Sequence, residues 1–190
     1  EFQHLIHYNY DQSEELWVNE GLSQLAGTYC GYGLDFPGLY MEDPTQSLLQ
    51  WSGEVRDYSK VNLWTLYCAE QLGLDFIKNL TQNPNRGITG FNNAMAQTGI
   101  PGDLSMVYPS WALANIINDI SVDTRHGYFL TEAQGLRASL TQLVSVYPKS
   151  ISGSVKNYGV EYHQFRGQDS LSVSFLSGLP QNYWLVYDGN

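Results

Sequence analysis

Apolar positions recur at helical spacing through the first ~125 residues and at alternating spacing after about 154, so the chain divides into a helical part and a strand-rich part. Phe2, Leu5 and Ile6 share one face of a first helix, and the pattern breaks at Tyr8-Asn9-Tyr10-Asp11. Ser13 is placed to cap a second helix, with Glu14 and Glu15 in its first turn, where the helix dipole favours negative charge. That helix carries Trp17, Leu22 and Leu25 and stops near Gly31-Tyr32-Gly33. Asp43-Pro44 reads as a cap followed by a first-turn proline, opening a short helix to Trp51. The stretch 58–72 predicts a strong helix closed by Gly73, followed by shorter helices over 76–82 and 88–97. A last helix spans about 104–120, where Pro109 either starts or kinks it.

Beyond it the periods shorten. Val160-Glu161-Tyr162-His163-Gln164-Phe165, Leu171-Ser172-Val173-Ser174-Phe175 and Trp184-Leu185-Val186-Tyr187 alternate, separated by Gly, Pro and Asn, and predict antiparallel strands. Residues 127–153 fit either a helix over 131–144 or two strands. The expected organisation is a helical part over 1–150 and a partial β-sandwich-like segment over 151–190, the start of an antiparallel β-domain.

Composition narrows the class. With 43% hydrophobic and 15% charged residues over 190 positions, the chain is a folded one with a sizeable core. Nineteen acidic residues against nine basic give a net charge of −10, and no Lys/Arg run interrupts that field. Phosphate backbones and anionic membrane surfaces are repelled by it, which argues against nucleic acid as a partner. The acidity itself fits a soluble exported protein. No apolar run reaches the ~18 residues that span a bilayer, which argues against membrane insertion. Cys30 and Cys68 are too few for a disulfide framework, and both fall in predicted helices, so two buried thiols are expected rather than a bridge. Asn79-Leu80-Thr81 matches the glycosylation sequon, a weak signal by itself.

Two short segments carry chemistry. Glu1-Phe2-Gln3-His4 is what remains of an H-E-x-x-H motif once its first histidine is removed; that histidine would immediately precede Glu1, so the chain reads as beginning inside the motif helix. In the complete motif two histidines at i and i+4 share a helix face and bind zinc, and the intervening glutamate is a general base. Trp17-Val18-Asn19-Glu20-Gly21-Leu22-Ser23 follows, with 15 residues between His4 and Glu20. Together the two segments resemble the gluzincin zinc metallopeptidases, and most closely the secreted bacterial hyicolysin type. The connection is shorter than in the best-known gluzincins. A third element, Tyr58-Ser59-Lys60 with Leu63, Trp64, Leu66 and Gly73, resembles the Y-x-K helix of gluzincin aminopeptidases, with Val61 where a glycine usually stands.

The resemblance is specific around 1–23 and covers about 1–125 in layout. It implies the mainly α C-terminal lobe of a zincin-like catalytic domain, a bound Zn2+, a peptide or protein substrate and a secreted, extracellular protein. It assigns His4 and Glu20 as metal ligands, Glu1 as general base on a water and Tyr58 as the donor that stabilises the oxyanion. For Tyr58 the plain alternative is a tyrosine packed on a helix face, and Tyr67 on the same helix is expected in the core. A His4–His7–Glu20 ligand set is the variant reading; otherwise His7 supports the site or lies at the surface. His126 either lines a cleft as a donor or is a satisfied loop histidine, and His163 is expected to be structural. Asn19 and Ser23 are placed to orient Glu20 or its neighbours. The alternative function is a catalytically inactive gluzincin-like domain, or a carbohydrate- or protein-binding module suggested by 14 Tyr and 5 Trp. Sequence carries no signal for oligomeric state.

Overall fold

A computed structural model describes residues 1–167 and 170–174. It is mainly helical: α1 (Phe2–Tyr8), α2 (Leu16–Gly27), α3 (Gly38–Glu42), α4 (Val55–Leu72), α5 (Leu74–Thr81), α6 (Gly87–Thr98) and α7 (Leu104–Ile117). The organising element is α4. Twelve of its 18 residues are buried, polar ones included, because other helices surround it rather than cover one face. Glu54 and Asp57 close its N-terminus in a reciprocal capping box, and Gly73 ends it at φ 88°, a conformation that favours glycine. Trp64 of α4 stacks on Phe91 of α6 at 5.5 Å and meets Trp111 of α7 edge-on at 5.2 Å, so an aromatic cluster joins three helices. Tyr40 of α3 lies flat on Trp111 from the other side.

Several expectations are corrected. Ser13 does not cap α2: Asp11 takes both its N–H and its hydroxyl, and the helix starts at Leu16. The helix expected after Asp43-Pro44 does not form, because the Asp43 carboxylate accepts from the Thr45 hydroxyl at 2.6 Å and turns the chain locally. The helix there is α3, immediately before it. On α1 the apolar residues Phe2, Leu5 and Ile6 are exposed and His7 is the buried residue, so the inward face is the opposite one. α7 runs through Pro109 and ends at Ile117, where Asn118 adopts a left-handed φ of 42°. Cys68 is buried, whereas Cys30 is exposed, and both are free.

Residues 127–153 form neither a helix over 131–144 nor two strands. After a 3-10 turn over Thr124–His126 the chain is irregular until β1 (Gln142–Val144), pinned by the Asn118 amide donating to the Ala133 and Leu136 carbonyls. β1 pairs with β2 (His163–Phe165), and the pairing is parallel, Gln142 opposite His163. That differs from the antiparallel arrangement expected. The cause is the return path: the Tyr158 carbonyl accepts from Leu48 N–H and Val160 N–H donates to the Pro44 carbonyl, carrying the chain back across the helical body before it meets β1. The Tyr162 hydroxyl donates to the Ala112 carbonyl of α7, so this segment is packed on the helices. Of the other expected strands, residues 171–174 have no regular structure, while Phe175 and 184–187 lie outside the described residues.

Candidate metal centre

α1 and α2 bring His4 and Glu20 together. His4 Nε2 lies 3.5 Å from Glu20 Oε2, and the two side chains are 26% and 19% exposed, so the pair can be reached from solvent. Asn19, the residue before Glu20, points to the other side of the imidazole. Its Oδ1 lies 3.2 Å from His4 Nδ1, so the two ring nitrogens of His4 face Asn19 and Glu20. The result is one imidazole nitrogen and one carboxylate oxygen side by side, with the imidazole contacted from behind by Asn19.

Glycine at position 21 has a packing reason. A Cβ there would overlap the Thr65 hydroxyl and touch the Val61 carbonyl at 3.4 Å, so α2 and α4 approach closely one residue after Glu20. Tyr58 is half-buried, with Trp51 edge-on to its ring at 5.0 Å. Burial raises its pKa, and the negative charges of Glu20 and then Asp57 raise it further. Tyr58 therefore keeps its phenolic proton and sits within the electrostatic reach of Glu20.

Lys60 holds this corner in place. Its fully buried ammonium donates to the Ser47 and Gln50 carbonyls and to Asp57 Oδ1, at 2.9, 2.7 and 2.9 Å, which uses all three of its protons. Burial lowers its pKa, against the opposing effect of Asp57. Asp57 would be pushed up by burial, but Lys60 and the Ser52 hydroxyl and N–H outweigh that and hold it below the usual carboxylate value. The 47–51 segment that carries Trp51 is thereby tied to the turn that carries Tyr58.

The other sequence candidates are placed as follows. Glu1 is exposed at the N-cap of α1, its carbonyl accepting from Leu5 N–H. His7 is fully buried; its Nδ1 also lies 3.2 Å from Asn19 Oδ1, and its Nε2 is 4.0 Å from Glu14 Oε2. Burial lowers the His7 pKa and raises that of Glu14, whose carboxylate accepts from Gly87 N–H. A cavity of about 110 Å³ beside His4 is lined by Tyr8, Asp11, Gln12, Glu14 and Asn19; His126 does not line it. His126 sits in the 3-10 turn after α7. His163 contacts Glu161 at 3.2 Å in β2. Tyr67 is core, its hydroxyl donating to the Arg125 carbonyl. Ser23 lies on α2 one turn past Glu20. Sequence reasoning missed that Asn19 serves two histidines; the signal was present, since the residue before Glu20 falls on the side of α2 that meets α1.

Zinc suits the donor types at this point, one imidazole nitrogen and one carboxylate oxygen. Among the described residues, however, no three His, Cys, Asp or Glu side chains are arranged to hold a metal ion. Among the described residues, no helix is long and apolar enough to cross a membrane. No protein-family model matches the chain, and no curated protein is similar to it.

Proposed function

We propose that the protein is a secreted zinc metallopeptidase of the gluzincin type, in which His4 and Glu20 are two of three protein ligands. The third is the histidine that the H-E-x-x-H motif places immediately before Glu1. The observation that supports this reading best is the facing pair itself: His4 Nε2 lies 3.5 Å from Glu20 Oε2, and both side chains are partly open to solvent. An imidazole nitrogen and a carboxylate oxygen held side by side are two of the donor types that zinc takes.

Zinc bound there would polarise the scissile carbonyl and lower the pKa of its water to about 7. The remaining work falls to side chains of this chain. Glu1, one helical turn from His4 on the exposed side of α1, accepts the proton of the attacking water and returns it to the leaving amine. Tyr58, kept protonated by burial and by Glu20, donates its hydroxyl to the oxygen on which negative charge develops. Asn19 holds the His4 ring from its Nδ1 side. Lys60 and Asp57 fix the turn on which Tyr58 stands.

Metal analysis of the full-length protein tests the ligand assignment. Stoichiometric zinc in the wild type, lost in both His4→Ala and Glu20→Ala but kept in His163→Ala, is the expected result. Zinc retained at full stoichiometry by both of the first two variants would remove the assignment.

A further inference from the structure

Two carboxylates near His4 each keep one oxygen without a partner. The side chains of Asp11 and Glu14 are 6% and 2% exposed, and both line the cavity of about 110 Å³ that also touches His4, Tyr8, Gln12 and Asn19. Asp11 Oδ1 is occupied, accepting from the Ser13 N–H and hydroxyl. Glu14 Oε1 is occupied as well, accepting from the Gly87 and Glu15 N–H groups at 2.7 Å each. The other two oxygens, Asp11 Oδ2 and Glu14 Oε2, are buried and have no hydrogen-bond partner. We propose that this cavity is a binding site for a primary alkylammonium group, the head of a lysine side chain or of a free amine, held between Asp11 Oδ2 and Glu14 Oε2.

The neighbouring side chains leave this charge unanswered. Arg86 Nε approaches Asp11 only to 4.0 Å, on the oxygen already engaged, and its side chain is 59% exposed. His7 Nε2 stands 4.0 Å from Glu14 Oε2, outside hydrogen-bond reach. Burial raises the Glu14 pKa and the negative charge of Asp11 raises it further, so the two carboxylates act on one another. Buried anions that repel each other are destabilising, and a cation seated between them relieves both the repulsion and the missing hydrogen bonds.

The arrangement also selects among cations. A metal ion takes several ligands, and among the described residues no three His, Cys, Asp or Glu side chains are arranged to hold one. A guanidinium pairs best with both oxygens of a single carboxylate, in a parallel fork. Here each carboxylate offers one free oxygen, so that fork does not form. An ammonium is a compact charge with three N–H donors, which it can divide between oxygens of two residues. Tyr8 lines the cavity and is 57% exposed, which places its ring at the entrance as an apolar surface for a methylene stem. The cavity shares His4 and Asn19 with the pair described above, but an ammonium site needs no metal, so the inference stands apart from the zinc reading.

Titration of the protein with n-butylammonium, followed by carbon-13 NMR of the side-chain carboxyl groups, tests the site. The expected result is saturable binding that moves the Asp11 and Glu14 carboxyl signals, with n-butylguanidinium and Ca2+ each binding about 10-fold more weakly. Asp11→Asn and Glu14→Gln each keep an oxygen for the N–H groups they now hold, and circular dichroism checks that both variants fold. Each should weaken n-butylammonium binding about 10-fold or more. The peptide acetyl-Ala-Lys-Ala-amide separates the two sources: tighter binding than n-butylammonium identifies a lysine side chain as the ligand, and weaker binding identifies a free amine. Absence of a saturable shift in the wild type overturns the inference, and that arm depends on no variant. Guanidinium or Ca2+ bound as tightly as the ammonium overturns it too, as does an affinity unchanged in both variants.

Discussion

Lys60 places a full positive charge where almost no water reaches, and it does so without an unsatisfied proton: three N–H donors meet two backbone carbonyls and the Asp57 carboxylate. Removing one partner of a buried pair strands the other, at a cost of about 3–5 kcal/mol. Lys60→Met should destabilise the protein by an amount near the lower end of that range, because Asp57 keeps the N–H groups of Ser52, Gly53 and Glu54. Chemical denaturation of the variant checks this. The same carboxylate sets an acid limit. Its folded pKa is depressed, so its stabilisation is complete above the ordinary aspartate value of about 4 and is lost as pH falls through the lower folded value. Unfolding midpoints should therefore drop steeply below about pH 4 in the wild type and less steeply in Asp57→Asn. Tyr58 is the residue at which stability and chemistry separate. Tyr58→Phe removes a donor from a half-buried ring that keeps its packing on Trp51. If Tyr58 holds the oxyanion, turnover falls about 100- to 1,000-fold with metal content unchanged.

Helices legible in the sequence were those whose signals were spent locally. α4 carries a run of apolar residues and a glycine that ends it at positive φ, so its stop was read to the residue, while it starts three residues earlier than expected, at Val55 behind its capping box. Signals captured by another partner misled. Ser13 has the composition of a cap but gives its N–H to Asp11, and Asp43 spends its carboxylate on Thr45 instead of on a helix end. In α1, periodicity identified a face but not which side turns inward, and a histidine is buried where Leu5 and Ile6 are exposed. Strand pairing direction depends on the path between β1 and β2, and no local pattern encodes that path. The candidate site was legible as residue types, His4, Glu20 and Tyr58, while the shared role of Asn19 needed two helices in contact. Packing between α2 and α4 is testable at Gly21. Gly21→Ala puts a methyl group into the Thr65 hydroxyl and should cost about 1–3 kcal/mol. Thr65→Ala in the same chain should recover most of that loss, and failure to do so would separate Gly21 from the helix contact.

A net charge of −10 acts at the scale of the whole molecule. It sets up a field that attracts cationic ligands and is screened within about 10 Å at 0.1 M salt. Peptides with several Lys or Arg should therefore be bound and cleaved faster at low ionic strength, and the advantage over acidic peptides of equal length should shrink as salt is added. Everything proposed for the site converges on one question, whether zinc and Glu1 together cleave a peptide bond. The most direct measurement compares the full-length protein with its Glu1→Gln variant, scoring bound zinc and casein cleavage with and without chelator. Stoichiometric zinc in both, with chelator-sensitive cleavage by the wild type alone, is the predicted result. Cleavage that persists in Glu1→Gln or survives removal of the metal, or a wild-type protein that binds no zinc, would contradict it.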